Sequence, residues 1–399
     1  MKKILALLLA LCMVFALAAC GQQAAPAEKP AEEPAAEAPA AEEPAAEEPA
    51  EEPAAEVEAP MVAMITDYGD ITDQSFNQTT YEACKAYCEA NGLDFTYFKP
   101  GSDSDEDRIS SIEDAIDEGY NVIVMPGYAF AAAIAKTAPA NPDVTFIALD
   151  VSEYDLTSAG LETLPANLYS AVYQEELCGY MAGVAAVKLG YTKLGFLGGM
   201  AVPAVIRYGY GFVQGADAAA AELGADVTIN YAYGNQFYGD ADITAAMDTW
   251  YAGGTEIVFA CGGGIFTSAA EAAAKVGGKV IGVDVDQAAT IDGAYGAGMT
   301  VTSAMKGLAA TVNTLLQAVV DGKFVGGQVE NLGLVSEIPA ENYVQLAGST
   351  QFGEGFTAED YADLVAAMFK GEITVNNDIS ITAADNATVV TVNDQGNIK

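Results

Sequence analysis

Three aspartates stand directly after short apolar runs of this sequence, where they could bind a polar small molecule. They are Asp67, Asp150 and Asp284. Carboxylates hold hydroxyl and amine groups by charge-assisted hydrogen bonds, and the carboxyl ends of parallel strands form the usual ligand crevice of an open α/β sheet. A single aspartate at a strand end is often only a helix cap. Three of them favour a crevice for a small polar ligand over caps alone.

The stretch 62–78 supplies an amide and an aromatic ring beside the first aspartate. Its apolar run at 62–65 predicts a buried strand, and turn-forming residues then lead into a helix. Phe76 and Asn77 lie at the start of that helix, so we expect them to face the same crevice as Asp67. The alternative for Asp67 and Asn77 is that they only satisfy the backbone of the turn.

Further apolar runs alternate with helical patterns through the rest of the chain. Short runs of this kind predict buried strands, and apolar residues at helical spacing predict amphipathic helices between them. Strands that alternate with helices indicate parallel sheets covered by helices on both faces. We therefore predict an α/β fold for residues 61–399, a length sufficient for two domains. The predicted strands are 120–125, 144–149, 194–197, 256–259 and 280–283, and the predicted helices are 109–118, 174–189, 209–223 and 243–251.

Composition and motifs exclude several classes of chemistry. The sequence contains no histidine, which excludes histidine-based catalytic triads and histidine-ligated metals. Gly262–Gly264 precedes a predicted helix, but neither a P-loop nor a dinucleotide-binding fingerprint is complete. We expect these glycines to let the backbone approach a ligand closely, and we predict no metal and no cofactor. The cysteines of residues 61–399 are expected to be small buried packing residues, namely Cys84, Cys88, Cys178 and Cys261.

The chain is strongly acidic, with a formal charge of −40. Residues 1–60 contain Lys2, Lys3, Lys29 and the twelve glutamates of 22–60. Without them, residues 61–399 have 13 basic and 44 acidic residues and a formal charge of −31. Charge of this sign repels a phosphate backbone, so nucleic acid is not expected as a partner.

The first 60 residues indicate an export signal followed by a spacer. Lys2 and Lys3 precede an uncharged apolar run of sixteen residues, which is short for a membrane span and typical of a signal peptide. The run ends in Ala-Ala-Cys, which resembles a bacterial lipobox and implies cleavage before Cys20 and lipid on its sulfur. We predict a lipoprotein signal peptide at 1–20, a disordered Ala/Glu/Pro tether at 21–60, and a lipid-anchored protein on the extracytoplasmic face of the cell membrane. The alternative is an ordinary signal peptide with an incidental cysteine.

Motifs spread over residues 62–327 resemble the basic membrane protein family, lipoproteins that serve as substrate-binding components of ABC importers. They are Asp67-Tyr-Gly with Ser75-Phe-Asn-Gln78, Phe196-Leu-Gly-Gly-Met200, Val280-Ile-Gly-Val-Asp-Val-Asp-Gln287, and Thr302-Ser303 with Lys306. The resemblance implies a type I periplasmic-binding-protein fold, in which two doubly wound lobes close on a ligand by hinge motion and deliver it to an ABC permease. It implies three crossovers, with lobe 1 at 61–170 plus 295–326 and lobe 2 at 171–294 plus 327–399. It also implies purine nucleosides as the commonest ligands, bound at Asp67, Phe76, Asn77, Asp150, Met200, Gly263, Asp284 and Lys306.

Within that resemblance the site residues take different parts of a nucleoside. Asp284 and Lys306 would hold the ribose hydroxyls, and Asp67 and Asn77 would hold the edge of the base. Aromatic rings would enclose the base, the choices being Phe76, Tyr128 and Phe266. The glycine-rich loop and the aromatic positions differ from the family's common form, so a sugar or another polar metabolite stays open as the ligand.

An enzyme is the competing class, with Asp284 and Asp286 as the paired carboxylates of a nucleoside or glycoside hydrolase. In an extended segment these two side chains point to opposite faces, which is unfavourable for acid–base work on one bond. We therefore predict a binding protein and no enzyme. A third class is an adhesin or signalling protein that acts through the acidic tether. The alternative for Lys306 is a solvated lysine at the start of a helix.

Overall fold

The computed structural model describes residues 59–67 and 69–399 of the chain. The predicted signal peptide, its Cys20 and nearly all of the predicted tether lie outside the described residues. Within the described ranges, no helix combines the length and the apolar character that crossing a membrane requires.

The first sheet has six parallel strands in the order β11-β5-β4-β3-β1-β2. Side chains of β1 alternate between two apolar layers, with Val62 packed toward α1 and Ala63 toward α2 and α3. Helices therefore cover both faces, as the alternation of strands and helices predicts. The strands are β1 Val62–Ile65, β2 Phe95–Phe98, β3 Val122–Pro126, β4 Thr145–Leu149, β5 Leu168–Tyr173 and β11 Gln328–Leu332; the helices are α1 Phe76–Asn91, α2 Asp105–Asp117, α3 Ala131–Thr137, α4 Glu153–Ser158 and α10 Leu308–Val320.

The second sheet has seven strands in the order β12-β10-β9-β8-β6-β7-β13, and β12 is antiparallel to its neighbour. Phe196 packs toward α5 and α6, whereas the next residue, Leu197, packs toward α7 and α8. The strands are β6 Lys193–Gly198, β7 Thr228–Tyr233, β8 Ile257–Cys261, β9 Lys279–Asp284, β10 Thr300–Lys306, β12 Val344–Leu346 and β13 Thr391–Asn397; the helices are α5 Glu175–Lys188, α6 Pro203–Leu223, α7 Ala241–Ala252, α8 Phe266–Val276, α9 Ala288–Tyr295 and α11 Ala358–Phe369.

The structure corrects the predicted boundaries between the lobes. Strand β10, placed in lobe 1 by the predicted segment 295–326, belongs to the second sheet, and β11, placed in lobe 2 by 327–399, belongs to the first. The cause is that β9, α9 and β10 form one further strand–helix–strand unit of the same sheet, so the chain crosses later than predicted. Lobe 1 therefore contains β1–β5, α10 and β11, and lobe 2 contains β6–β10, β12 and β13. Three crossovers remain, after β5, β10 and β11.

Small residues let α5 and α6 approach each other closely in the second lobe. A Cβ atom on Gly179 would lie 2.1 Å from the carbonyl oxygen of Tyr208, and one on Gly215 would lie 2.0 Å from that of Tyr180. Only glycine fits such contacts. The close approach fixes the second turn of α6, which carries Arg207, against the start of α5, which carries Glu175.

The four cysteines of the described residues are buried and form no disulfide. Cys84 and Cys88 lie in the apolar layer between α1 and the first sheet. Burial raises the pKa values of their thiols, which removes the thiolate needed for redox chemistry. Their predicted role as packing residues is confirmed.

Candidate functional site

Loops at the carboxyl ends of both sheets surround a cavity of about 520 Å³. This volume lies within the range of small-molecule sites, and the position is the one that open α/β sheets use for ligands. Eight of the nine predicted site residues line it, and the ninth, Met200, does not. The start of α6 at 202–205 lines the wall next to Met200 instead. The eight are Asp67, Phe76, Asn77, Tyr128, Asp150, Gly263, Asp284 and Lys306.

The start of α1 presents Asn77 to the cavity from lobe 1. The carboxylate of Asp73 accepts hydrogen bonds from the backbone N–H groups of Ser75, Asn77 and Gln78, at 2.9, 3.0 and 3.1 Å. It also accepts from Asn77 Nδ2 at 3.2 Å. No described residue donates a hydrogen bond to Asn77 Oδ1, although Asn77 is only 5% exposed. A buried carbonyl oxygen without a donor is costly, so this oxygen is available to a ligand N–H or O–H group.

Asp150 and Asp284 occupy corresponding positions in the two lobes, directly after or at the end of the fourth strand of each sheet. Their φ angles are +62° and +64°, in the left-handed region. Aspartate tolerates this conformation better than most residues do. Residues other than glycine that adopt this conformation occur more often at binding sites than elsewhere. Both side chains line the cavity, so a helix cap alone does not account for them.

Lys306 ends β10 and lies at the centre of a buried charge cluster. Its Nζ atom is 2.5 Å from Asp150 Oδ2 and 3.1 Å from Glu175 Oε1. It also lies 5.1 Å from the ring centroid of Phe76 and 5.7 Å from that of Tyr208. Burial by itself would lower the pKa of Lys306, but Asp150, Glu175 and Asp284 outweigh it and raise that pKa. The lysine is therefore charged and buried, and the alternative of a solvated lysine is wrong.

The carboxylates around Lys306 differ in how they tolerate charge. Burial raises the pKa of Asp150 to about 6, with Lys306 opposing the shift. Burial also raises the pKa of Asp284, against the opposing effects of Lys306 and the Ser75 hydroxyl. For Glu175, burial would raise the pKa, but Lys306 and Arg207 together lower it. Glu175 is thus the fixed negative partner of the lysine, while Asp150 Oδ1 accepts no hydrogen bond from a described residue.

Polar contacts between described residues join the two lobes directly. Ser75 Oγ donates to Asp284 Oδ2 at 2.5 Å, and Gln287 Nε2 donates to the carbonyl oxygen of Gln74 at 3.1 Å. The pair of Lys306 and Asp150 also crosses from one lobe to the other. These contacts bring together the start of α1 and the ends of β9 and β10, so the structure represents a closed arrangement of the two lobes.

Three aromatic residues that line the cavity are absent from the predicted set, namely Tyr208 of α6, Phe237 and Tyr238. Phe237 and Tyr238 follow β7 and line the cavity with Phe76, Tyr128 and Phe266. The ring of Phe237 lies over two glycines: a Cβ atom on Gly199 would be 2.4 Å from it, and one on Gly262 would be 2.8 Å from it. Gly262, which was expected to let the backbone approach a ligand, therefore also makes room for the Phe237 ring, as does Gly199.

A second cation reaches the cavity from the second turn of α6. Arg207 Nε lies 2.6 Å from Glu175 Oε2 and 3.9 Å from Glu176 Oε2. Burial raises the pKa of Glu176 to about 7. Glu175, Glu176 and Arg207 are not among the predicted site residues, because charged residues at helix starts are usually solvated.

Comparison with known proteins identifies the family to which the chain is similar. The model of the Bmp family, described as ABC transporter substrate-binding protein PnrA-like, matches residues 61–340. The ABC transporter nucleoside-binding protein BmpA of Lactococcus lactis subsp. cremoris is 30% identical over an alignment of 290 residues, which covers 68% of this chain and 78% of that protein.

Solved structures confirm the predicted fold. A solute-binding protein of an ABC transporter from Aeropyrum pernix has a TM-score of 0.62 at 22% identity, over 82% of this chain and 90% of that one. A second, from Conexibacter woesei, has a TM-score of 0.62 at 23% identity, over 80% and 99% of the respective chains. Both share the two-lobed α/β architecture of periplasmic solute-binding proteins.

Proposed function

This chain belongs to the PnrA-like family of ABC transporter substrate-binding proteins, and we propose that its ligand is a purine nucleoside enclosed between the two lobes. The observation that carries the proposal is the composition of the cavity wall. Carboxylates of both lobes and an unpaired amide oxygen share the wall with several aromatic rings. A nucleoside needs both, since its sugar offers hydroxyl groups and its base offers a flat apolar face and a polar edge.

The proposed arrangement assigns the ribose to lobe 2 and the base edge to lobe 1. Asp284 and Lys306 hold the ribose hydroxyls as acceptor and donor. Asn77 and Asp67 hold the edge of the base, with Asn77 Oδ1 accepting from an N–H group of the ligand. The base lies against aromatic rings, and Phe237 joins Phe76 as a stacking partner because the glycines beneath it fix its ring. Such ring contacts contribute about 0.5–1.5 kcal/mol beyond burial.

The charges of the cavity favour an uncharged ligand over a phosphorylated one. Its two cations, Lys306 and Arg207, are already paired with buried carboxylates. Four further aspartates, Asp67, Asp70, Asp73 and Asp155, line the same cavity. An added phosphate would bring negative charge to carboxylates at low dielectric, where repulsion is strong.

We further propose that the protein is held by lipid on Cys20 at the extracytoplasmic face of the membrane, from which it passes its ligand to an ABC permease. Support comes from the apolar run that ends at Cys20 and from the family of the chain. The acidic, proline-rich segment 21–60 would act as the spacer between membrane and lobes.

A sugar remains the second candidate ligand, because Asp150 and Asp284 are as well suited to the hydroxyl groups of a sugar as to those of ribose. A hydrolase finds less support. Asp286 accepts a hydrogen bond from Ser349 Oγ at 2.6 Å and does not line the cavity. The paired-carboxylate mechanism would need Asp286 and Asp284 at one bond.

Calorimetric binding of inosine to the Asp284→Asn variant tests the proposal. Asparagine keeps the left-handed backbone and removes the charge, so we expect a ten- to hundredfold loss of affinity, from a charge-assisted hydrogen bond of about 1.5–3 kcal/mol. Asp286→Asn is the matched control and should bind as the wild type does. Equal affinity in both variants, or release of hypoxanthine from inosine by the wild type, would overturn the proposal.

A further inference from the structure

The chain continues beyond the residues that the family model matches, and its last strand lies beside the site. The match ends at 340, whereas β13 is added in parallel to β7 at the edge of the second sheet. We propose that the segment 391–399 positions the loop 235–240, which carries Phe237 and Tyr238, and that Lys399 is the residue that holds this loop in place.

The segment and the three residues before it are attached to lobe 2. Asp217 of α6 accepts hydrogen bonds from the backbone N–H groups of Thr388, Val389 and Val390, at 2.7–2.9 Å. Trp250 Nε1 donates to Gln395 Oε1 at 3.1 Å. The backbone N–H of Ile398 donates to the carbonyl oxygen of Tyr233, the last residue of β7, at 2.8 Å. The strand therefore places Lys399 next to the end of β7, where the loop 235–240 begins.

Polar side chains at the two ends of the loop bind each other and Lys399. Gln236 Nε2 donates to Asp240 Oδ2 at 2.9 Å and to the carbonyl oxygen of Tyr238 at 2.8 Å. Lys399 Nζ donates to Gln236 Oε1 at 3.0 Å and to Asp240 Oδ2. The Asp240 Oδ1 atom meanwhile caps α7 through Ile243. We call Gln236, Asp240 and Lys399 the loop clasp.

The opposite side of the loop rests on the backbone of the site. The N–H of Asn235 donates to the carbonyl oxygen of Gly199 at 2.9 Å, and that of Gly264 donates to the carbonyl oxygen of Phe237 at 2.8 Å. Asn235 has a φ of +58° and turns the chain sharply out of β7. The loop is thus held between the glycine-rich strand ends on one side and the clasp on the other, and a change in the clasp shifts the Phe237 ring that faces the cavity.

The experiment compares Lys399→Ala, Lys399→Arg and the control Lys370→Ala. Lys370 forms an exposed ion pair with Glu337 in the same part of the chain, at 2.9 Å. Lys370→Ala therefore also removes one paired positive charge, but at a residue that does not contact the loop 235–240. Hydrogen–deuterium exchange of peptides over 234–240 and 262–266 is measured without ligand, and inosine affinity is measured by calorimetry. The affinity arm rests on the proposed function, whereas the exchange arm does not.

We expect Lys399→Ala to speed exchange of 234–240 at least about threefold and to weaken inosine binding about three- to tenfold, as for loss of a part-exposed ion pair and its hydrogen bonds. The thermal midpoint should change no more than in Lys370→Ala, and Lys399→Arg should restore both readouts. Exchange in Lys399→Ala equal to that in Lys370→Ala overturns the inference, whatever the ligand proves to be. So does a lowered midpoint with exchange raised evenly over the second lobe, since that result marks a purely structural role.

Discussion

Ser75 in the first lobe donates a hydrogen bond from its Oγ atom to Oδ2 of Asp284 in the second lobe, at 2.5 Å. Both side chains are buried, and Asp73, not Ser75, supplies the side-chain cap of α1. The Ser75 hydroxyl therefore does not cap α1, as a serine at a helix start usually does. It forms the contact between the lobes instead. Asp284 lines the cavity and also makes this contact between the lobes, so we expect ligand binding and closure of the lobes to be coupled.

Ser75→Ala should weaken inosine binding about tenfold, because the closed form loses a hydrogen bond to a buried charged acceptor while the open form loses nothing. The ligand-free thermal midpoint should stay nearly constant, since α1 keeps its Asp73 cap. Calorimetry on Ser75→Ala and on Ser349→Ala checks this. Ser349 donates a hydrogen bond of 2.6 Å to Asp286 within one lobe. Equal affinities for the two variants would show that the bond between Ser75 and Asp284 does not contribute to closure.

Phe237→Ala should weaken purine nucleoside binding by about tenfold or more through loss of a stacked ring and its buried area. Tyr154→Ala is the control, because Tyr154 is a 78% exposed aromatic residue that does not line the cavity. Competition against a fluorescent nucleoside measures both. If Phe237→Ala and Tyr154→Ala bind alike, the base does not lie on Phe237.

The strand-end aspartates were predictable because a short apolar run fixes where each strand stops, and parallel strands bring those ends together. Asp67, Asp150 and Asp284 follow from that rule. The ring of Phe237 did not follow, because β7 reads Thr-Ile-Asn-Tyr-Ala-Tyr and mixes polar with apolar residues, so its end was not located. A strand predicted there would have pointed to the aromatic pair that comes after it.

Long-range contacts account for the remaining differences. Glu175 is fully buried only because Arg207 and Lys306, distant in sequence, surround it. Strand β13 has mostly exposed polar residues, and its sequence shows no alternation of apolar and polar residues. The sequence therefore does not predict an edge strand there. Crossover positions depend on which sheet a strand joins, and local patterns do not contain that information.

The stability of the ligand-free Asp150→Asn variant relative to the wild type should be more favourable at pH 7.5 than at pH 5. Burial raises the folded-state pKa of Asp150 to about 6, above the value near 3.9 of an unfolded aspartate. The folded state therefore binds the proton more tightly, and wild-type stability from this group is lost as pH rises through about 6. Asparagine has no such loss and tolerates the left-handed φ of +62°.

Thermal midpoints of both proteins at the two pH values measure the effect. We expect the difference between Asp150→Asn and wild type to be more positive at pH 7.5. A difference that is the same at both values, or larger at pH 5, would show that Asp150 ionises without penalty in the folded state.

Cys20→Ala should release the protein from membranes, because the variant lacks the thiol on which the proposed lipid is carried. Fractionation of cells expressing the wild type and the variant, with a high-salt wash, tests this. Cys261→Ala, which changes a buried cysteine of the second lobe, is the control for loss of a thiol. A Cys20→Ala protein that still sediments with membranes after the wash would contradict lipid anchoring at this residue.

Calorimetric titration of the protein with inosine, cytidine, glucose and inosine 5′-monophosphate tests the central claim most directly. A purine nucleoside enclosed between the lobes predicts saturable heat with inosine at one site per chain. It predicts weaker binding of cytidine, because the smaller base of cytidine covers less of the aromatic wall. It also predicts at least about tenfold weaker binding of the monophosphate, because the two cations of the cavity are already paired and further carboxylates line it. Heat with glucose alone, or tighter binding of the monophosphate than of inosine, would contradict it.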